Sequence, residues 1–221
     1  TGVTVCLSTN KDRAQVTYLG AIAELRPSDV PESAFRGRRH LHLTSFGLQR
    51  RLRPGFARLM REAKRRGMSV SFDPNSDLSG ALGAEARRLL PLLDLLFLNE
   101  MEALSFTRAR SPSKALAALS KLVPCAVVKL GAKGAIAASG GACLRQAGFR
   151  VRSLDTTGAG DSFAAGFVAA FLGGADLGTC LRWANGCGAL STRGVGGTPA
   201  QPTRPELERL LRGKSKRGKA P

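Results

Sequence analysis

Residues 155–163 read Asp155-Thr156-Thr157-Gly158-Ala159-Gly160-Asp161-Ser162-Phe163, and an apolar stretch continues directly after them. The small residues allow successive backbone N–H groups to converge on one point. The helix predicted to follow adds the positive end of its dipole. The converging N–H groups and this dipole together predict a phosphate-binding loop. The spacing is neither that of a Walker A loop nor that of the Rossmann glycine motif. A tight turn followed by an ordinary helix cap is the alternative interpretation.

Asp161 falls in the first turn of that helix, beside the predicted phosphate position. A carboxylate there repels an anion, but it can accept the proton of an alcohol that attacks the γ-phosphate of a nucleotide. The N–H groups of Gly158, Ala159 and Gly160 would then stabilise charge on the transferred phosphoryl group. These residues predict phosphoryl transfer with Asp161 as the base. In the alternative interpretation Asp161 only caps a helix.

Strand-like and helix-like segments alternate on both sides of this motif. Strands are predicted at residues 4–8, 15–19, 40–45, 69–72, 93–98, 125–130, 135–138 and 143–146. Helices are predicted at residues 52–66, 81–90, 113–122, 175–192 and 205–212, with another completing 158–172. The alternation predicts an α/β fold whose mostly parallel sheet is covered by helices on both faces. Ligands of such folds bind beyond the carboxyl ends of the strands.

Four motifs resemble, in the same order, motifs of the ribokinase or PfkB carbohydrate kinase family. The resemblance covers residues 2 to about 211 and implies a ribokinase-like three-layer α/β/α fold. It also implies an ATP-dependent kinase that phosphorylates a hydroxymethyl group. The motifs are Leu98-Asn99-Glu100-Met101-Glu102, Val128-Lys129-Leu130-Gly131-Ala132-Lys133-Gly134-Ala135, the stretch from Asp155 to Phe163, and Ala184-Asn185-Gly186-Cys187-Gly188-Ala189-Leu190.

The resemblance also assigns roles to single residues. Asp161 would be the catalytic base in contact with the acceptor, and Gly158, Ala159 and Gly160 would form the anion hole. The residues implied to bind ATP are Asn99, Lys129, Gly131, Gly134, Gly160 and Asn185. For Asn185 the alternative is an ordinary polar residue inside a helix.

The resemblance further implies two cations. Asn99 and Glu102 would organise Mg²⁺ and its waters, a role that suits hard oxygen ligands. A K⁺ ion would be held by residues beside the anion hole: Asp155, Thr157, Ser191, Gly194 and Gly196. The alternatives are a polar strand end followed by a first-turn Glu, and a plain glycine-rich loop.

Three further features have simpler interpretations. Asp73-Pro74-Asn75 follows a strand and reads as a turn, although in relatives this region helps to position phosphates or metal-bound water. His40 and His42 share one face of a strand without accompanying carboxylates or cysteines, so we predict structural roles for them. Trp183 is predicted to pack in the core.

The cysteine pattern argues against a disulfide framework or a zinc site, because five scattered cysteines form no Cys-x-x-Cys pair. Reduced thiols in a cytoplasmic protein fit this pattern better. No apolar run approaches the roughly 18 to 20 residues of a membrane span, and no leader segment is recognisable. We therefore expect a cytoplasmic protein without a membrane partner.

The charge is the least ordinary property of the chain. Its 34 Lys and Arg residues against 16 Asp and Glu residues give a formal net charge of +18. Basic side chains concentrate in residues 36–39, 50–53, 58–66 and 214–219. Aromatic side chains that could stack on bases do not alternate with these clusters. Nucleic-acid binding by a non-catalytic scaffold is therefore kept only as an alternative.

The sequence begins with Thr1 rather than Met. Against the family pattern, we expect the N-terminal strands and most of the lid to be missing, with residues 1–20 a remnant of the lid-side hairpin. We predict a kinase domain over residues 1–212, a basic disordered tail over residues 213–221, and a homodimer. The predicted acceptor is a small sugar or sugar acid, and a nucleoside kinase of the same family is the alternative.

Overall fold

The computed structural model describes residues 1–8, 13–75, 78 and 80–215. The chain divides into two compact units, Thr1–Asp94 and Leu95–Pro221. Residues 9–12, between the first two predicted strands, and residues 216–221 of the predicted tail lie outside the described residues. That residues 1–212 form one kinase domain stays a prediction.

The first unit contains two strand pairs. Strands β1 and β2 form an antiparallel hairpin, and β3 and β4 run parallel with Thr44 opposite Asp73. The elements are β1 (Val3–Ser8), β2 (Arg13–Tyr18), α1 (Ala21–Glu24), β3 (His40–Thr44), α2 (Phe56–Arg65), β4 (Ser69–Asp73) and α3 (Gly80–Arg87). Short 3-10 helices occupy Pro27–Asp29, Glu32–Phe35, Arg53–Gly55 and Leu90–Leu92.

Helix α2 begins one turn later than predicted. Pro54 lacks the N–H group that an interior helical position needs, and Arg53–Gly55 form a 3-10 turn ahead of the helix. The apolar face of α2 includes Phe56, which contacts the rings of Phe46 and Phe72 at centroid distances of 5.5 and 6.3 Å. The helix ends before Gly67, whose φ of 74° is typical of a glycine that follows a helix.

Both histidines of β3 are bound to serines of β4. His40 contacts the hydroxyls of Ser69 and Ser71 at 2.7 Å each, and His42 contacts Ser71 at 2.6 Å. Burial and the neighbouring His42 lower the pKa of His40 to about 4, which favours its neutral form. These contacts agree with the structural roles predicted for the two histidines.

The second unit carries four further strands. Strands β5 and β6 run parallel, whereas β6–β7 and β7–β8 are antiparallel. The elements are β5 (Leu95–Asn99), α4 (Glu100–Thr107), α5 (Pro112–Leu119), β6 (Cys125–Lys129), β7 (Ala135–Ser139), β8 (Ala142–Gln146), α6 (Ala159–Leu172), α7 (Leu177–Ser191) and α8 (Arg204–Ser215). The strands predicted at residues 135–138 and 143–146 pair as a hairpin, and both turn residues, Gly140 and Gly141, have positive φ.

Two helical segments of the second unit differ from the predictions. Helix α4 was not among the predicted elements, because Asn99 was interpreted as a strand end although it also caps a helix. Helix α8 extends to Ser215, so residues 213–215 of the predicted tail are helical.

The core of the second unit lies where α6 and α7 pack together. A Cβ atom on Gly166 of α6 would lie 2.8 Å from Sγ of Cys187 in α7, so only glycine permits this approach. Phe163 and Phe167 of α6 contact the ring of Phe97 edge-on at 6.4 and 5.3 Å. Trp183 packs against the same cluster, which confirms its predicted role. None of the helices in the described ranges has the length and apolar character needed to cross a membrane.

Candidate active site

The predicted anion hole is a sharp turn at the start of α6. Gly158 adopts a left-handed conformation with φ of 71° and is the N-cap residue of the helix. A Cβ atom there would lie 2.6 Å from the carbonyl oxygen of Gly197, closer than real Cβ contacts. Gly158 therefore satisfies a positive φ and a close backbone approach at the same time.

Asp161 lies in the first turn of α6 with its side chain exposed. The next residue, Ser162, is only 5 % exposed, and its hydroxyl has no hydrogen-bond partner among the described residues. The Asp161 carboxylate is therefore exposed at the start of the helix, whereas the Ser162 side chain is buried. An exposed carboxylate at this place is accessible to a bound alcohol.

Lys129 brings a positive charge to the same turn. It ends strand β6, where it lies opposite Asn99 of β5. Its Nζ atom is 3.4 Å from the position that a Cβ atom on Gly160 would occupy. A positive side chain beside the positive end of a helix dipole attracts an anion. The structure thus brings Lys129 and Gly160 together into a place suited to phosphate.

Asn99 and Glu102 cap helix α4 reciprocally. The amide oxygen of Asn99 accepts a hydrogen bond from the N–H of Glu102 at 2.8 Å, and the Glu102 carboxylate accepts one from the N–H of Asn99 at 2.8 Å. This is the capping arrangement of the alternative interpretation. Glu102 is only 6 % exposed, so its carboxylate is held in a fixed position.

Asp155 joins the loop before α6 to the loop after α7. One carboxylate oxygen accepts hydrogen bonds from the N–H and hydroxyl of Thr157 at 2.8 and 2.7 Å. The other accepts one from the N–H of Gly196 at 2.8 Å. Three of the residues implied to hold K⁺ therefore lie together. Ser191 ends α7 and is buried, and Gly194 contacts Ala200.

Two of the residues implied to bind the nucleotide, Gly134 and Asn185, meet at the end of β8. The carbonyl of Gln146 accepts a hydrogen bond from the amide of Asn185 at 3.2 Å. A Cβ atom on Gly134 would lie 2.0 Å from that same carbonyl oxygen. Gly131 begins the turn between β6 and β7. It has a φ of 58° and open space around it. The sequence had not singled out Gln146, because only its backbone takes part.

Two glycines that contact the predicted anion hole were also missed. Gly197 allows the close approach of Gly158, and a Cβ atom on Gly188 would lie 3.2 Å from the carbonyl oxygen of Ala159. Gly188 stands within a quoted motif, so its position beside a second small residue was a usable signal. Asp73 belongs to the first unit, where it ends β4 and is 2 % exposed.

Residues 1–204 match the family model described as "pfkB family carbohydrate kinase". The chain belongs to the PfkB carbohydrate kinase family. The match extends over most of the sequence and includes all the motifs on which the resemblance was based. The predicted family is thus confirmed.

Similar proteins of this family differ in the acceptors that their names state. The chain is 35% identical over 178 residues to an ATP-dependent ribose-1-phosphate kinase of Halopiger xanaduensis, covering 80% of this chain and 56% of that protein. It is 33% identical over 186 residues to a nucleoside kinase of Methanothermobacter thermautotrophicus, covering 82% and 57%. The chain thus spans little more than half the length of these PfkB relatives.

A solved structure of the family shows the same fold. The fructokinase of Vibrio cholerae, in a double-mutant form bound to fructose, ADP and potassium ion, superposes with a TM-score of 0.79 at 30% identity. The superposition covers 94% of this chain and 72% of the fructokinase. It confirms the predicted ribokinase-like α/β fold.

Proposed function

We propose that this PfkB chain carries the ATP-binding and catalytic part of a kinase that phosphorylates a hydroxymethyl group of a small sugar or sugar acid. The observation that carries the proposal is the start of α6. There, the left-handed Gly158 opens the helix, Asp161 lies in its first turn, and the Lys129 ammonium lies beside Gly160. The residues proposed as base and anion hole thus lie in one helical turn, and the proposed positive charge lies beside it.

The residues support in-line transfer from ATP to an alcohol. Asp161 accepts the hydroxyl proton as the acceptor oxygen attacks the γ-phosphate. The N–H groups at Gly158, Ala159 and Gly160 stabilise charge on the transferred phosphoryl group, and Lys129 adds a charge on the same side. Gly131, Gly134 and Asn185 line the nucleotide.

Mg²⁺ fits beside the Asn99–Glu102 cap. Both residues have oxygen ligands of the kind that Mg²⁺ prefers, but each commits an oxygen to the helix cap. They suit a cation that keeps most of its waters, so we propose that they hold Mg²⁺ indirectly. When bound, the ion would neutralise charge on the phosphates of ATP.

K⁺ is proposed beside Asp155. The carboxylate of Asp155 accepts hydrogen bonds from Thr157 and from the N–H of Gly196, so it brings the loops before α6 and after α7 together around anionic oxygens. Carbonyl groups around Ser191, Gly194 and Gly196 would complete the ligands. The potassium ion named in the similar fructokinase structure supports this proposal.

A homodimer and a cytoplasmic location complete the proposal. One face of the β1–β2 hairpin exposes Val3, Val5, Val16 and Tyr18, each at least 52% accessible, and such a face favours association. The free thiols of the four described cysteines fit a reducing compartment.

Two alternatives each rest on one observation. The similar nucleoside kinase favours a nucleoside acceptor. The net charge of +18 favours a non-catalytic scaffold for nucleic acid. An Asp161 exposed beside an anion hole favours a kinase, since a scaffold has no use for a base.

A panel of acceptors tests the proposal. ADP release would be measured for the full-length protein from the same locus with Mg²⁺-ATP and K⁺ across sugars, sugar acids and nucleosides. Turnover on a sugar or sugar acid supports the proposal, and turnover on a nucleoside alone supports the first alternative. Absence of turnover, with salt-sensitive nucleic-acid binding, would support the scaffold.

A further inference from the structure

A cavity of about 360 Å³ lies in the first unit between α2 and the segment before β3. None of its lining residues belongs to the candidate active site. Its lining combines an apolar floor with three guanidinium groups, from Val30, Phe35, Leu59, Arg58, Arg61 and Arg65. The volume is in the range of small-molecule sites, roughly 300 to 1,000 Å³.

The arginines share one face of α2. Arg58, Arg61 and Arg65 follow one another at intervals of three and four residues, which places them side by side along a helix. Leu59 and Phe35, which are 3% and 7% exposed, lie below them as the apolar floor. The cavity is therefore charged along one side and apolar at its base.

The acidic residues at the cavity are already paired. Both carboxylate oxygens of Glu62 accept hydrogen bonds from Arg65, at 3.0 and 2.8 Å, and one also accepts from Arg66. These hydrogen bonds lower the pKa of Glu62 to about 2. Glu32 is bound to Arg66 at 2.6 Å. Within the described ranges, neither carboxylate forms an ion pair with Arg58 or Arg61.

Two guanidinium groups therefore keep uncompensated charge. Arg58 donates a hydrogen bond to the carbonyl oxygen of Pro27 at 2.7 Å, which is a neutral partner. Arg61 is exposed and forms no hydrogen bond or ion pair within the described part of the chain. Guanidinium groups bind carboxylates and phosphates through paired N–H donors.

We propose that this cavity binds a small organic anion with an apolar or aromatic body. Arg58 and Arg61 hold the anionic group, and Phe35 and Leu59 contact the body. The cavity lies within the first unit, whereas Asp161 and Lys129 belong to the second. The inference therefore does not rest on the proposed kinase activity, and either can fail without the other.

Fluorescence titration with 1-anilinonaphthalene-8-sulfonate, an aromatic sulfonate, tests the site. We expect saturable binding of one molecule per chain, with affinity reduced about tenfold in Arg61→Gln because a charge-assisted contact is lost. Arg61 has no partner in the described structure, so this variant should fold normally. Arg58→Gln should weaken binding similarly, and Val30→Trp should block it by filling the cavity with all charges retained.

Matched controls separate this site from other surfaces. Arg110→Gln makes the same charge change at an exposed arginine of the second unit and should leave the affinity unchanged. The uncharged analogue N-phenyl-1-naphthylamine should bind far more weakly than the sulfonate. Displacement by phenyl phosphate or by benzoate identifies the preferred anionic group. Equal affinity in Arg61→Gln and Arg110→Gln, equal binding of the uncharged analogue, or displacement by neither competitor would overturn the proposal.

Discussion

The Nζ atom of Lys129 lies 3.4 Å from the position that a Cβ atom on Gly160 would take. The contact joins the end of strand β6 to the first turn of α6. It places a positive side chain beside a helix dipole of the same sign. The Lys129 ammonium and the N-terminus of α6 are therefore suited to bind the same phosphate group.

Replacing Lys129 by Met should lower kcat/KM for ATP by about tenfold to a hundredfold, the effect of removing one charge-assisted contact to phosphate. Lys129→Arg should retain part of the activity, because it keeps the charge. Steady-state kinetics with varied ATP would measure both. Lys121→Met, at an exposed lysine after α5, is the matched control and should behave like the wild type. Equal kcat/KM in Lys129→Met and Lys121→Met would remove Lys129 from the site.

Gly158→Ala should lower stability and ATP affinity together. The left-handed conformation alone costs a non-glycine residue roughly 1 to 2 kcal/mol, and the new Cβ would also collide with Gly197. Gly174→Ala separates the two effects, because Gly174 has φ of 76° but open space around it. Urea unfolding should show a larger loss of stability for Gly158→Ala than for Gly174→Ala. Nucleotide titration should show a loss of ATP affinity for Gly158→Ala. Equal losses of stability in the two variants, with normal ATP binding in both, would contradict the role proposed for Gly158.

Asp155→Ala should uncouple two loops of the site. It removes the acceptor of three hydrogen bonds, from Thr157 and Gly196, and should lower the free energy of unfolding by about 1 to 3 kcal/mol. Activation by K⁺ should also weaken. Asp176→Ala is a fair comparison, because Asp176 accepts two similar bonds from Thr179 at the start of α7. It should cost about 1 kcal/mol and leave the K⁺ response intact. An unchanged K⁺ response in Asp155→Ala would contradict the proposed cation site.

His40 should make the protein less stable in mild acid. Burial and the charge of His42 lower its pKa from 6.5 to about 4, although Asp94 opposes the shift. The unfolded chain therefore binds a proton that the folded chain does not between these pH values. The free energy of unfolding should fall as the pH falls from about 6.5 to about 4. Urea unfolding at several pH values should show a weaker dependence for His40→Asn. An identical dependence would exclude His40 as its source.

The sequence predicted the architecture well because its signals are local. Continuous apolar strands and a glycine after α2 fixed the positions of most elements, and Gly158 stands where a positive φ is needed. Four motifs in the same order, one of them around Asp161, were sufficient for the family assignment. These features depend on neighbours in sequence, so they are visible without a structure.

The features that could not be predicted depend mostly on contacts between residues that are distant in the sequence. Nothing near Lys129 in the sequence shows that its ammonium reaches Gly160, and the use of the Gln146 carbonyl by Asn185 involves backbone alone. The missed helix α4 has a different cause, because Asn99 serves both as a strand end and as a helix cap. The pairing of Glu62 with Arg65 and Arg66, which leaves Arg61 uncompensated, was hidden within a basic stretch.

The most direct test compares phosphoryl transfer by the full-length protein with that of its Asp161→Asn variant. Single-turnover transfer from ATP to the preferred acceptor would be measured together with nucleotide affinity. The account predicts a rate about 10² to 10⁴ times lower in the variant, the usual contribution of a general base, with nucleotide affinity preserved. Transfer at the wild-type rate in Asp161→Asn would contradict the assignment of Asp161 as the catalytic base.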